Sequence, residues 1–410
     1  MFNFIYPKLE AFGLDISDRS FKIASIEINR KRKQMDLVSY GVFPFERGFI
    51  ESGRIISKDK VGLIIRDGLS KIHGKRIATK AAVVSLPEEQ CFVRVIQLPP
   101  MPEKELSEAV AAETEGNIPM SLDEVYYDWQ VITRPDGVAS SASGENTKHF
   151  DVLVAATPKE VVEEYESLLA GIGLLPLIFE PESFAIARAA LRNRISYSPL
   201  LLVDLGETHT TLAIVSGTSI RVTVSVSVAG GNFTDLISSA FKISSEEAEK
   251  KKREHGLGQE GEGLKIFKIL EAPLIDLVHQ IKGYLAFYAS HSFHEHQVWT
   301  LAVKTPEIKT MGSFDFRPVS RGEVVIGRDA DGKENQATRL GMSGISRIFL
   351  TGGGANLAGL PEYLSASLKI SVQRANPLIN ITHIVNDKEG VAPFDPMTYA
   401  TAIGLAMHRP

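Results

Sequence analysis

Two aspartates stand out by what surrounds them. Asp15 lies in "FGLDISDRSFKIASI", residues 12–26, and Asp204 in "LLVDLGETHTTLAIV", residues 201–215. Each sits at the end of an apolar run, one apolar residue (Ile16, Leu205) before a turn of small and polar residues. A lone carboxylate taken into a dry sheet costs several kcal/mol, so either these strands end at the surface or a positive charge faces each acid. Laid over one another without gaps, Asp15 falls on Asp204, Ser17 on Gly206, Ser20 on His209, Lys22 on Thr211 and Ala24 on Ala213. Both copies read as strand, acid, tight turn and alternating strand, which is β-hairpin chemistry. Such patterns are common, and the shared acid is what lifts this pair above chance. Two hairpin tips facing across a cleft would offer backbone N–H groups and hydroxyls to an anion. Asp15 and Asp204 would then face a divalent cation on that anion, through water, as hard oxygen ligands suit Mg²⁺.

A third stretch, "IFLTGGGANLAGL" at 348–360, fails the dinucleotide fingerprint, because the sixth position counted from Gly352 is Leu357. It also lacks the Gly-Lys-Ser/Thr of a P-loop. Gly352, Gly353 and Gly354 after an apolar strand still allow a flat or anionic ligand close to the backbone. The His291, His294 and His296 cluster reads as a solvated helix end, since on a helix only the first two share a face. No spacing pairs a serine nucleophile with a base.

Taken in order, these stretches resemble the actin, Hsp70 and sugar-kinase superfamily, in which two phosphate hairpins and a glycine-rich adenosine loop close on ATP. The resemblance implies an α/β, actin-like (ribonuclease H-like) duplicated two-domain fold with an inserted α/β subdomain in domain 1. It implies that Ser17, Ser20, Lys22, Gly206, Thr208 and Thr210 join Asp15 and Asp204 around ATP and Mg²⁺. "FEPESFAIARA", from Phe179, looks like the connecting segment that would put Glu180 near the terminal phosphate and its attacking water, with Asp204 as its catalytic companion. "AEKKKR", from Ala248, would hold ribose and adenine through Glu249 and Lys252, three apart on one helix face. Within the superfamily the chain is similar to the PilM family of type IV pilus assembly. "EGNIPMSLDEVYYDWQVI" at 115–132, "VAGGNFTDLI" with Gly230 and Gly231, "ISSEEAEKKKREHGL" and "YATAIGLAMHR" match family segments in order. Ser17 departs from the glycine usual there, and residues of about 297–344 interrupt the usual path.

The elements that must position these residues follow from length and composition. At 410 residues the chain exceeds one ordinary core, and two domains are expected. They are placed at about 1–196, carrying an insert at about 81–177, and at about 197–395, with 396–410 as a helix returning to domain 1. A net charge of −5 with short basic runs, Arg30–Lys33 and Lys250–Arg253, argues against nucleic-acid binding. Cys91 is the only cysteine, so no disulfide framework forms. The sequence shows no bilayer-length apolar segment and no signal peptide, and a cytoplasmic protein is expected.

The family resemblance implies a cytoplasmic ATP-binding scaffold at the inner face of the membrane, held there through partners rather than by direct insertion. Its partners would be the cytoplasmic tail of a PilN-like inner-membrane protein, docked as an extended peptide beside the insert, and the pilus platform and motor. Hydrolysis and self-association stay open. Three rivals stand beside this reading, and one, a nicotinamide dehydrogenase, has only the glycines in its favour and lacks the fingerprint. A metabolite kinase of the same superfamily needs a carboxylate base in the cleft, and no further acidic motif suggests one. An FtsA-like division scaffold needs a carboxy-terminal amphipathic helix, which is not expected after the last helix before Pro410.

Overall fold

The structure, a computed structural model, describes residues 10–29, 34–133, 149–291, 344–384 and 394–408. Most of the stretch at 297–344, together with His294 and His296, lies outside the described residues. The first half of the chain runs β1 (Phe12–Ser17), β2 (Ser20–Asn29), β3 (Gln34–Pro44), β4 (Ile50–Glu51), β5 (Arg54–Ile55), α1 (Lys58–Ser70), β6 (His73–Gly74) and β7 (Ala81–Leu86). There follow β8 (Phe92–Leu98), α2 (Leu106–Asn117), β9 (Val125–Thr133), β10 (Phe150–Pro158), α3 (Lys159–Gly171), β11 (Leu175–Pro181) and α4 (Glu182–Ala190). The second half holds β12 (Ser196–Leu205), β13 (Thr210–Gly217), β14 (Ser219–Val226), α5 (Gly230–Phe241), α6 (Ser245–His255) and α7 (Gly261–His291). It closes with β15 (Arg347–Thr351), α8 (Leu360–Leu368), β16 (Ser371–Arg374), β17 (His383–Ile384) and α9 (Ala400–Ala406).

Two large sheets organise these elements. The first has the order β11-β7-β1-β2-β3-β17, with β6 also on β3. Along β1 the side chains alternate across the sheet. Phe12, Leu14 and Ile16 enter one core with Val61 and Ile65 of α1 and Val161 and Tyr165 of α3. The other face, carrying Gly13 and Asp15, turns toward α9, whose Ala402 and Leu405 sit against Gly13. In the second sheet, Leu201, Val203 and Leu205 of β12 pack with Ile266, Leu270 and Leu274 of α7. Leu200 and Leu202 point the other way, toward Ile186 and Ala190 of α4. Asp204 continues that second set. Helix α4 is thus a wedge between the sheets, and its first residue, Glu182, arrives where both aspartates face.

The insert does not close on itself. Of the stretch expected as the insert at about 81–177, β7 instead lies in the first sheet between β11 and β1; the inserted strands are β8, β9 and β10, and these extend the second sheet, whose order is β16-β15-β12-β13-β14-β8-β10-β9. Pairing β8 to β14 covers a strand edge that would otherwise be exposed. The return to the first sheet also begins before residue 396, because Thr382 N–H donates to Met35 O at 2.7 Å and β17 pairs with β3. Among the described residues no helix is long and apolar enough to cross a membrane.

Candidate functional site

The two hairpins share one register. In the first, Asp15 lies opposite Lys22; in the second, Asp204 lies opposite Thr211, the residue that overlays Lys22. Asp15 is buried, with one carboxylate oxygen accepting from Lys22 Nζ at 3.0 Å and the other from Ser85 Oγ at 2.9 Å. Lys22 also donates to Ser17 Oγ at 3.0 Å, and Ser17 in turn donates to Ser20 O at 2.9 Å. Ser17 therefore replaces the flexibility of a glycine with a fixed hydroxyl. Asp204 accepts from Thr351 Oγ1 at 2.7 Å. The second tip is closed by Gly206 N–H donating to His209 O at 3.0 Å, and Thr208 Oγ1 lies 3.4 Å from His209 Nδ1. Thr210 gives its hydroxyl to Val228 O at 2.6 Å, away from the gap between the tips.

The glycine-rich segment reaches the same place. Gly352 adopts φ +80°, and a Cβ there would lie 2.8 Å from an Asp204 carboxylate oxygen, so only glycine lets this backbone approach. Gly353 and Gly354 begin the short turn that follows. Gly230 and Gly231 open α5 against the second tip, their N–H groups donating to Gly206 O at 2.8 Å and Glu207 O at 3.0 Å.

The charges of the site act on one another across the gap. Burial pushes the Asp204 carboxyl up and the Asp15 charge adds to this, while Thr351, His209 and Lys22 oppose it. Burial alone would lower Lys22, yet Asp15, Glu182 and Asp204 together hold it above its ordinary value. Burial likewise raises Glu182, with Asp15 and Asp204 adding to the effect. His209 Nε2 lies 3.5 Å from Glu182, and Nδ1 lies 4.0 Å from Glu89, both on first-sheet connections. Although burial opposes protonation, Glu182, Glu89 and Asp204 hold the imidazole up to about 9.

A pH dependence follows. His209 and Glu182 both bind their protons more tightly folded than unfolded, so stability falls as pH rises. The His209 contribution is complete below its unfolded value near 6.5 and is lost as pH passes through about 9. Urea titrations from pH 6 to 9 should show a decline on the order of 1 kcal/mol. His209→Gln should flatten it; an unchanged slope in that variant would refute the pairing.

Two of the expected site residues, Glu180 and Lys252, are used differently from expectation. Glu180 does not face the gap: Arg188 takes both its oxygens, at 2.6 and 2.7 Å, and His408 Nδ1 lies 3.1 Å away. The carboxylate presented to the gap is Glu182. Glu249 and Lys252 meet as expected on one helix face, at 2.5 Å. However, the buried Lys252 ammonium also donates to Gly230 O at 3.0 Å and Thr234 Oγ1 at 2.8 Å, tying α6 to the first turn of α5. Glu182, His209 and Thr211 were missed as site residues. Glu182 follows Pro181 at a helix start, where an acid is ordinary, so it carried no separate signal. The overlay on Ser20 and Lys22 did mark His209 and Thr211. Thr211 Oγ1 is buried with no hydrogen-bond partner beside Asp204.

The converging groups are hard oxygen donors with one lysine and one imidazolium, a set suited to a cation-bridged anion. Among the described residues no preformed cluster of three or more metal-type ligands occurs.

The family model described as type IV pilus assembly protein PilM matches residues 13–303 and 337–410. A chain of the PilM-PilN type IV pilus biogenesis complex superposes with a TM-score of 0.68 at 22% identity, covering 98% of each chain. The ethanolamine utilization protein EutJ from Carboxydothermus hydrogenoformans superposes with a TM-score of 0.51 at 13% identity, covering 98% of this chain and 90% of its own. The fold is the actin-like two-sheet α/β fold.

Proposed function

The chain belongs to the PilM family of type IV pilus assembly proteins, and on that premise we propose that this actin-like scaffold binds ATP with Mg²⁺ between its two acidic hairpins. The closed state would then differ in affinity for the cytoplasmic tail of a PilN-like inner-membrane protein, seated on the first lobe beside the insert. A ligand shifts such an equilibrium only by binding the two states unequally. The observation that carries the reading is the common register of the hairpins, with the Asp15 charge close enough to raise the buried Asp204 carboxyl.

The residues fit the absent groups. Asp15 and Asp204 would hold Mg²⁺, and the orphaned Thr211 hydroxyl marks a polar position with capacity to spare beside Asp204. Bound there, Mg²⁺ would neutralise charge shared by carboxylates and phosphates. Lys22 supplies positive charge from the first tip, and the Gly352–Gly354 backbone leaves room for the adenosine end. The PilN partner rests on the family and on the named partner of the similar complex.

Calorimetry with Mg-ATP tests this. Asp15→Ala and Asp204→Ala should each weaken binding by about tenfold or more, or about 1.4 kcal/mol. Unchanged affinity in both would remove the assignment. Capture of PilN-like tails, with and without nucleotide, tests the switch.

One observation favours a second reading. Glu182, raised by burial in the gap, would give a metabolite kinase the base it needs. Transfer of labelled phosphate from ATP to a small hydroxyl acceptor, lost in Glu182→Gln, would establish that enzyme.

A further inference from the structure

The insert is attached in two physically different ways. To the first lobe it is joined by the chain itself, through residues 87–91 inbound and 157–159 outbound, and by exposed Tyr126 of β9, whose hydroxyl donates to Glu163 of α3 at 3.4 Å and whose ring lies under Lys159. These crossings lie side by side, with Cys91 Sγ 3.2 Å from Thr157 Oγ1. To the second lobe it is joined by sheet. β8 lies antiparallel on β14, with Arg94 opposite Val222. Asp151 of β10 is buried 3.8 Å from Arg221 Nη1 of β14, and its other oxygen meets His149 and Gln97. Val93 and Leu153 of the insert share one core with Leu202, Ala213, Val215 and Ile220 of the second sheet.

Helix α4 of the first lobe meets that core through Ile186 and Ala190, side chain against side chain. Glu88, in the inbound crossing, accepts from the N–H and hydroxyl of Ser183 at 2.9 Å each. Packed apolar helix faces can slide in a shear motion. The bridged Arg94–Val222 pair and the Asp151–Arg221 contact cannot shift without breaking directional bonds and separating charge.

We infer that the insert is carried by the second lobe as one body and pivots against the first lobe on the paired crossings at 87–91 and 157–159. This rests on the proposed function and gives it a lever. Closure of the lobes on nucleotide would move the insert relative to the first lobe, and with it the position beside the insert proposed above for the partner tail. The β8–β14 seam, with Asp151 and Arg221, transmits the signal.

The test uses the full chain, Mg-ATP and a synthetic peptide of the PilN-like tail. The readout is the ratio of tail affinities with and without nucleotide. Asp151→Asn combined with Arg221→Gln removes both seam charges together. It should leave Mg-ATP affinity within about twofold while the ratio falls toward one. A second variant, Arg94→Cys with Val222→Cys, pins the seam by a cross-strand disulfide and serves as its own reduced control. Its oxidised and reduced forms should show the same ratio, because the pinned parts already move together. A full ratio after loss of the seam charges, or a ratio abolished by oxidation, would overturn the inference alone. A ratio of one in the unaltered protein would overturn the functional reading and the inference with it.

Discussion

Gly404→Val is expected to leave the protein unable to reach its native fold. All seven residues of α9 are buried between β1, β2, β7 and α4. A Cβ at Gly404 would lie 1.8 Å from Ala185 O and 2.4 Å from its carbonyl carbon, both in the α4 backbone. Across the same helix, a Cβ at Gly13 of β1 would lie 2.2 Å from Ala402 O. Strand, helix and helix are therefore stacked backbone to backbone. No side chain can rotate away to relieve an added carbon, so overpacking should exceed about 3 kcal/mol. Gly404→Ala should act in the same direction. Because α4 delivers Glu182, nucleotide affinity should fall together with stability. Gly283, inside α7 with nothing within 4 Å of its would-be Cβ, is the contrast. Gly283→Ala should raise stability by up to about 1 kcal/mol. Urea midpoints measure both; a Gly404→Val protein as stable as wild type would refute the packing.

The second large effect separates the two glutamates of "FEPES". Arg188→Ala leaves the Glu180 carboxylate buried with His408 alone, and strips Gly404 O of a donor now at 2.7 Å. Breaking a buried pair in this way costs about 3–5 kcal/mol. The sign with pH follows from Glu180. Burial would raise its carboxyl, but Arg188 and His408 override this and hold it below the ordinary value of 4.5. Its stabilisation is thus present above that value and lost as pH falls through the depressed one. Acid titrations should show a limb below about pH 4.5 that shrinks in Arg188→Ala. Glu180→Gln should cost stability yet keep Mg-ATP affinity within about twofold, whereas Glu182→Gln should shift the affinity. The reverse pattern would return Glu180 to the phosphate end of the cleft.

These two glutamates mark where sequence reading stopped. The hairpins were legible because their chemistry is local: Asp15 and Lys22 are seven residues apart, and alternation over a few residues sets which face each occupies. The glycine segment was legible because only glycine tolerates such close backbone approach. Family and actin-like fold could be recognised from the order of motifs along the chain. In "FEPES", by contrast, the chain passes from strand to helix at Pro181, and the periodicity that orients side chains changes there. Glu180 then turned to Arg188 and to His408, 228 residues on, while Glu182 turned to His209.

The duplicated hairpins, the acids at their tips, the glycine-rich approach and the family are all written in local stretches of the chain. Which glutamate faces the gap, the use of Lys252 on the α5 turn and the joining of the insert to the second sheet emerge only from the folded chain. The physical reason is range. Turn chemistry and side-chain alternation act over a few residues, whereas the pairing of β8 with β14 and the partners of buried charges are settled by whichever distant surfaces meet.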